Sequence, residues 1–279
     1  MTAPPRLAPA RITSPPLAPA DLLPPRLASP DVAPPDLALA RLAGPDLAAP
    51  RLPAPGLATP VTVTVLVMAK EPIPGRVKTR LTPPFAPEQA AEIAAAALAD
   101  TLTAVGALAR LPGVGTVRPV LVLDGAPGPW LPAPIDVVAQ AAGPFDARLA
   151  AAFDGADGPT LLIGMDTPQV TPALLADACR RLTDADAVFG PAADGGWWAL
   201  GLRRPDGRLL RGVVTSRPDT GARQRDRLAD AGLRVADLPV LRDVDTAPDA
   251  DEVARLAPGG RFAAAVRAAS AIPVTIARR

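Results

Sequence analysis

From Thr62 to Ala269, short apolar β-branched runs alternate with longer stretches of helical period, and this alternation restricts the fold more than any other feature. The strand-like runs are Thr62–Met68, Val117–Leu123, Ile135–Val138, Thr160–Ile163, Ala187–Phe189, Trp197–Leu202 and Leu233–Leu238. The helical stretches are Pro87–Leu111, Asp146–Phe153, Thr171–Leu182, Thr220–Ala231, Ala247–Leu256 and Phe262–Ala269. Strands separated by helices cross over and pair in parallel. The expectation is an α/β fold whose mostly parallel sheet is covered by helices on both faces. In such sheets ligands bind beyond the carboxyl ends of the strands.

Ahead of this region the chain is of another kind. From Arg6 it repeats every five residues, approximately as Arg/Asp-Leu-Ala-x-Pro, with apolar positions at Leu7, Ile12, Leu17, Leu22 and onward to Leu57. A period of five matches neither helix nor strand, and the recurring proline removes backbone donors. Residues 1–60 are therefore expected to be a disordered, polyproline-II-like Pro/Ala-rich tail. A pentapeptide β-helix, or a segment ahead of the true translation start, are the alternatives. Residues 61–279 are expected to form the functional domain.

Absences narrow the chemistry. Histidine is missing and Cys179 is the sole cysteine, so neither an ordinary zinc site nor a His-based nucleophilic triad can be assembled. Cys179 falls in a helical stretch and reads as a buried structural thiol. Any metal must take oxygen ligands, which points to Mg2+ or Mn2+. A net charge of +1 supplies no field for nucleic acid, so no nucleic-acid partner is expected. No membrane span is expected either: the Ala-rich stretch 90–109 is broken by Glu92, Asp100 and Gly106. A cytoplasmic location is the default expectation.

Four segments, each with a loop after a strand, carry the chemistry. Val65–Leu81 places Lys70, Gly75, Lys78 and Arg80 after the first run, where Gly75 would let backbone amides approach a phosphate. Lys78 and Arg80 would supply charge and forked donors to phosphate oxygens. The spacing around Lys78 fails the Walker A pattern, and a solvated basic turn is the plainer alternative. Leu161–Pro172 puts Asp166 just beyond a buried strand, where it could hold a divalent ion against a diphosphate or merely tie down its loop. Asp194-Gly195-Gly196 reads either as a tight turn or as an approach to a sugar or acceptor. In the second case Asp194 is an acceptor or base, and Trp197 or Trp198 a stacking wall. Asp243 and Asp245 alternate along what reads as an extended run, so at most one should face a metal, with Asp245 favoured. Asp249 and Asp251 fit the start of the next helix.

Taken together, Lys70-x-Pro72-x-Pro74-Gly75-x-x-Lys78-Thr79-Arg80-Leu81, Gly164-x-Asp166-x-Pro168, Gly190-Pro191-x-x-Asp194-Gly195-Gly196 and Asp243-Val244-Asp245-Thr246 resemble DUF2064, a bacterial family of glycosyltransferase A-type proteins. The resemblance covers about Val61–Leu256, with the motifs in order. It implies a GT-A fold, the nucleotide-diphospho-sugar transferase-like three-layer α/β/α sandwich. The Lys78–Leu81 element, Asp166 and the Asp243–Thr246 run are also similar to 2-phospholactate and molybdenum-cofactor guanylyltransferases. Those relatives bind a nucleoside triphosphate with magnesium. By that likeness Asp166 with Asp245 or Asp243 would hold the metal, and Lys78 and Arg80 the phosphates. Gly143-Pro144-Phe145-Asp146 departs from the family pattern, which puts the acceptor side in question.

The expected activity is glycosyl transfer from a nucleotide sugar to an unknown small-molecule acceptor. Lys78 would serve the leaving group and Asp194 the acceptor, and Lys70, Gly75, Arg80, Gly195 and Gly196 would contact the nucleotide. Nucleotidyl transfer from a nucleoside triphosphate to a phosphorylated acceptor is the alternative, and a non-catalytic nucleotide-binding module the third reading.

Overall fold

A computed structural model describes residues 62–131 and 135–271, so the pentad-repeat segment lies outside the described residues. Seven strands form one sheet: β1 (Thr62–Lys70), β2 (Thr116–Asp124), β3 (Asp136–Ala139), β4 (Thr160–Gly164), β5 (Ala187–Pro191), β6 (Trp197–Leu202) and β7 (Val235–Asp237). Their spatial order is β3-β2-β1-β4-β6-β5-β7. All pairings are parallel except those of β6, which runs antiparallel to both β4 and β5. The reversal follows from the short β5–β6 connection, in which the Ala192 N–H donates to the Gly196 carbonyl at 3.0 Å. So short a link permits a hairpin but no crossover. Six helices accompany the sheet: α1 (Pro87–Leu108), α2 (Phe145–Asp154), α3 (Pro172–Asp184), α4 (Thr220–Asp230), α5 (Ala247–Leu256) and α6 (Arg261–Ser270).

Strand β1 is buried along nearly its whole length, as a central parallel strand covered on both sides must be. Val63, Val65 and Val67 face Leu98 and Val105 of α1 and Leu175 and Leu182 of α3. The alternate residues Leu66 and Met68 face Leu149 and Phe153 of α2 and Leu228 of α4. These are the three layers of the expected sandwich. Outside α1 lies a further pair, α5 and α6, whose Val253, Phe262 and Val266 pack on Ile93 and Ala97. This second packing explains why α1 is apolar nearly all round, enough in length and composition to cross a membrane. It is instead an interior helix, enclosed by the sheet on one side and the α5–α6 pair on the other.

Thr171 caps α3, its hydroxyl accepting the Leu174 N–H at 3.2 Å. Thr246 and Asp249 form a capping box on α5, and Asp251 sits exposed in the same helix. Cys179 is buried, and burial pushes its thiol up to about 11, consistent with an inert packing group. The register pairs Lys70 with Asp124 and Met68 with Gly164, so β1, β2 and β4 end at one edge of the sheet. The site is built there.

Candidate active site

The loop after β1 is pinned by two buried side chains, Val77 and Leu81, with Lys78 between them. Lys78 adopts a left-handed backbone (φ 48°, ψ 41°) that opens a short 3-10 turn at Thr79–Leu81. Its ammonium is turned inward, with only 8% of the side chain exposed. It lies 2.7 Å from Asp166 Oδ1 and 3.3 Å from Asp245 Oδ1, and it also donates to the Val244 carbonyl. Burial alone would pull the Lys78 pKa down, but Asp166 and Asp245 outweigh that and hold it above the usual lysine range. Arg80, largely exposed, pairs with the other oxygen of Asp245. Both cations expected to meet phosphates are thus held by the carboxylates expected to meet a metal.

Asp166 follows β4, and its carbonyl accepts the Val244 N–H at 2.9 Å, joining the second and fourth segments. The expectation that Asp243 and Asp245 point to opposite faces is corrected. Both line the same cleft. Residues 242–246 form no strand, so the period of two does not apply; the buried Val244 side chain anchors the segment between them. The Asp243 carboxyl is pushed up to about 8, first by burial, then by the charges of Asp166 and Asp194, with Lys78 acting in the opposite sense. Among the described residues no three acidic side chains are gathered at metal-holding distance. Between Asp166 and Asp245 that place is taken by the Lys78 ammonium.

The cleft measures about 720 Å³. Its acidic end holds Asp166, Asp243 and Asp245, with Arg80 beside them. Its other walls come from Phe145 and Leu149 of α2, from Asp194, Gly196 and Trp197 of the β5–β6 hairpin, and from Thr215–Pro218 before α4. Asp194 is exposed, lines the cleft and accepts the Gly196 N–H at 2.8 Å through Oδ1. The two readings of this segment therefore coexist, a tight turn that also presents a carboxylate. Gly195, at φ +88°, is packed so closely that a Cβ would come within 1.9 Å of the Pro218 carbonyl oxygen. Gly196 packs its carbonyl beneath Gly221 at the start of α4. The glycine pair thus docks α4 against the hairpin. Trp197 is half-buried on the cleft wall, whereas Trp198 is buried beneath it, its indole N–H donating to the Pro239 carbonyl at 2.9 Å.

Of the six expected phosphate or nucleotide contacts, Arg80 and Gly196 line this cleft, whereas Lys70, Gly75, Lys78 and Gly195 do not. Gly75 has open space around it and a φ of +73°, so it serves the turn. Sequence reasoning missed Thr167, Phe145 and residues 215–218. Thr167 is buried with its hydroxyl unpartnered, and Phe145 falls in the stretch that departs from the family pattern. Residues 215–218 carry no periodicity to mark them. A larger cavity, about 850 Å³, opens where β1 and β2 begin. Arg118 is paired there with Asp136 and Arg261 with Asp100, Arg110 has no ion pair among the described residues, and none of the four segments reaches the cavity.

The sequence model of the family described as "Uncharacterized protein conserved in bacteria (DUF2064)" matches residues 108–217. The DUF2064 resemblance is found. The matched interval holds Asp166, Asp194 and the Arg217 loop; Lys78 and Asp245 fall outside it. A 2-phospho-L-lactate guanylyltransferase of Natrialba magadii is 28% identical over 141 residues, 47% of this chain and 60% of that enzyme. The match therefore spans less than two thirds of the relative. The crystal structure of a provisionally assigned nucleotide-diphospho-sugar transferase from Desulfovibrio desulfuricans G20 superposes with a TM-score of 0.65 and 28% identity. It covers 75% of this chain and 95% of that one. The described domain has the nucleotide-diphospho-sugar transferase-like α/β fold, and the curated relative is a guanylyltransferase.

Proposed function

We propose that residues 61–279 form a metal-dependent transferase that moves a glycosyl group from a nucleotide sugar to a small-molecule acceptor. The observation that carries this reading is one cleft lined by Asp166, Asp243 and Asp245, with Arg80 beside them, and also by Asp194, Phe145 and Trp197. Asp166, Asp243 and Asp245 line one cleft and would supply oxygen ligands suited to Mg2+ or Mn2+ once drawn together with the Lys78 ammonium displaced. The Asp243 carboxyl is pushed up first by burial and then by the charges of Asp166 and Asp194, and a divalent ion would oppose the second of these causes. Bound there, such an ion would neutralise the departing diphosphate. Lys78 and Arg80, drawn from their carboxylates, donate to the phosphate oxygens. Asp194 Oδ2 takes the proton of the acceptor hydroxyl as its oxygen bonds to the sugar carbon. The bond from that carbon to the phosphate oxygen breaks, and its electron pair leaves with the nucleoside diphosphate.

Nucleotidyl transfer is the second reading, favoured by the guanylyltransferase relative. In it an acceptor phosphate oxygen attacks the α-phosphorus of a nucleoside triphosphate, and pyrophosphate leaves. Product analysis separates the two. Nucleoside diphosphate released from a nucleotide sugar supports glycosyl transfer; pyrophosphate released from a triphosphate supports the second reading. In either case Asp166→Ala should reduce turnover by about 100-fold or more, as loss of a group stabilising developing charge commonly does. Near-normal turnover in that variant would overturn the assignment of Asp166.

A further inference from the structure

We propose that Arg217 selects the acceptor, and that the acceptor carries a carboxylate or phosphate close to its attacking oxygen. The proposal rests on the transferase reading above and adds a substrate class to it. Arg80 and Arg217 are the two cations that line the cleft, and Arg80 is already paired with Asp245. Arg217 makes no side-chain hydrogen bond to any described residue. Its nearest acid, Asp219, lies 3.5 Å away and gives its other oxygen to Arg223 at 2.6 Å. Arg217 is thus held through Nε by one long ion pair, and its two terminal nitrogens keep no hydrogen bond among the described residues, in a cleft otherwise dominated by carboxylates.

The segment that presents it is built to hold position. The Gly212 N–H donates to Asp146 Oδ2 at 2.8 Å. The Arg217 N–H donates to Thr220 Oγ1 at 3.1 Å, and that hydroxyl donates to the Val214 carbonyl at 3.1 Å. Pro218 is seated on Gly195 so tightly that no side chain fits there. Between these anchors Ser216 is held at φ +60°, a conformation disfavoured for a residue with a Cβ and frequent where a site is pre-formed. Thr167, buried in the same cleft, keeps a hydroxyl with no protein partner. An uncharged acceptor would leave the two terminal nitrogens of Arg217 without a charged partner. An anionic one entering beside four aspartates needs such a cation to meet it.

The test uses the full chain and three matched probes: glycerol, glycerate and glycerol 3-phosphate. Binding is followed calorimetrically without nucleotide, and turnover with the donor present. Glycerate or glycerol 3-phosphate should bind where glycerol does not. Arg217→Ala should weaken that binding, or raise the acceptor KM, by about 10- to 100-fold, with the donor KM unchanged and partial recovery in Arg217→Lys. Equal use of glycerol, anion binding that survives Arg217→Ala but is lost in Arg80→Ala, or a change confined to the donor KM would each overturn the proposal. Arg217-dependent anion binding without turnover of any donor would support this site and count against the transferase reading instead.

Discussion

Replacing Lys78 by methionine removes the ammonium while keeping the length and apolar stem of the side chain. Two carboxylates, 2.7 and 3.3 Å from Nζ, then face each other without their shared cation. Breaking a fully buried ion pair in this one-sided way costs about 3–5 kcal/mol. Here Asp166 and Asp245 are 39% and 26% exposed, so water recovers part of that loss. A net destabilisation of about 2 kcal/mol is the reasonable figure. For a domain of this size that lowers Tm by about 4–8 °C. The same change frees two carboxylates for an external cation, so Mn2+ should stabilise Lys78→Met more than the wild type. The assay is thermal denaturation of both proteins at neutral pH, each titrated with Mn2+. An unchanged Tm without metal would refute the claim that this ammonium holds the acidic end together. A smaller metal response in the variant would refute the claim that Lys78 stands where the metal would enter.

Two further outcomes follow from the same geometry. The Asp243 carboxyl, pushed up to about 8, binds its proton more tightly folded than unfolded. Its contribution to stability is thus present at acid pH and lost as pH rises through about 8. Denaturant titrations between pH 5 and 9 should show metal-free stability falling with pH, and Asp243→Asn should flatten that fall; an equal slope in both proteins would contradict it. Gly195→Ala should destabilise the chain by more than about 3 kcal/mol, since it combines a forbidden φ with a backbone clash against Pro218. Wild-type stability of that variant by chemical denaturation would show that the α4 docking described above is wrong.

The alternating layers were legible because the strands are short apolar runs and most of them are separated by segments of helical period. Even the ends of Trp197–Leu202 and Ala247–Leu256 match the observed elements. The α5–α6 layer was not read, although the apolar composition of α1 on both faces is its physical signature. At the site, the sequence marks Asp166, Asp243 and Asp245 as carboxylates after strands. It does not reveal that the chain passes Val244 as coil and so turns both flanking aspartates to one cleft. Nor does it reveal that Lys78 meets Asp166, since that contact joins loops from two different strands. Arg217 left no trace in any periodic pattern, because loop position is set by anchors such as Asp146 and Thr220 and not by composition.

In the proposed function the cleft at Asp166, Asp243 and Asp245 binds a nucleotide phosphate together with a divalent ion. Thermal denaturation of the wild type and Asp166→Ala tests it most directly, against a panel of nucleotide sugars and nucleoside triphosphates with and without Mg2+ or Mn2+. At one hundred times its dissociation constant a ligand should stabilise the wild type by about 2.7 kcal/mol. Such a shift is expected for at least one nucleotide, requires metal and is abolished by Asp166→Ala. A shift indifferent to metal and retained in Asp166→Ala, or no shift with any nucleotide, would contradict it.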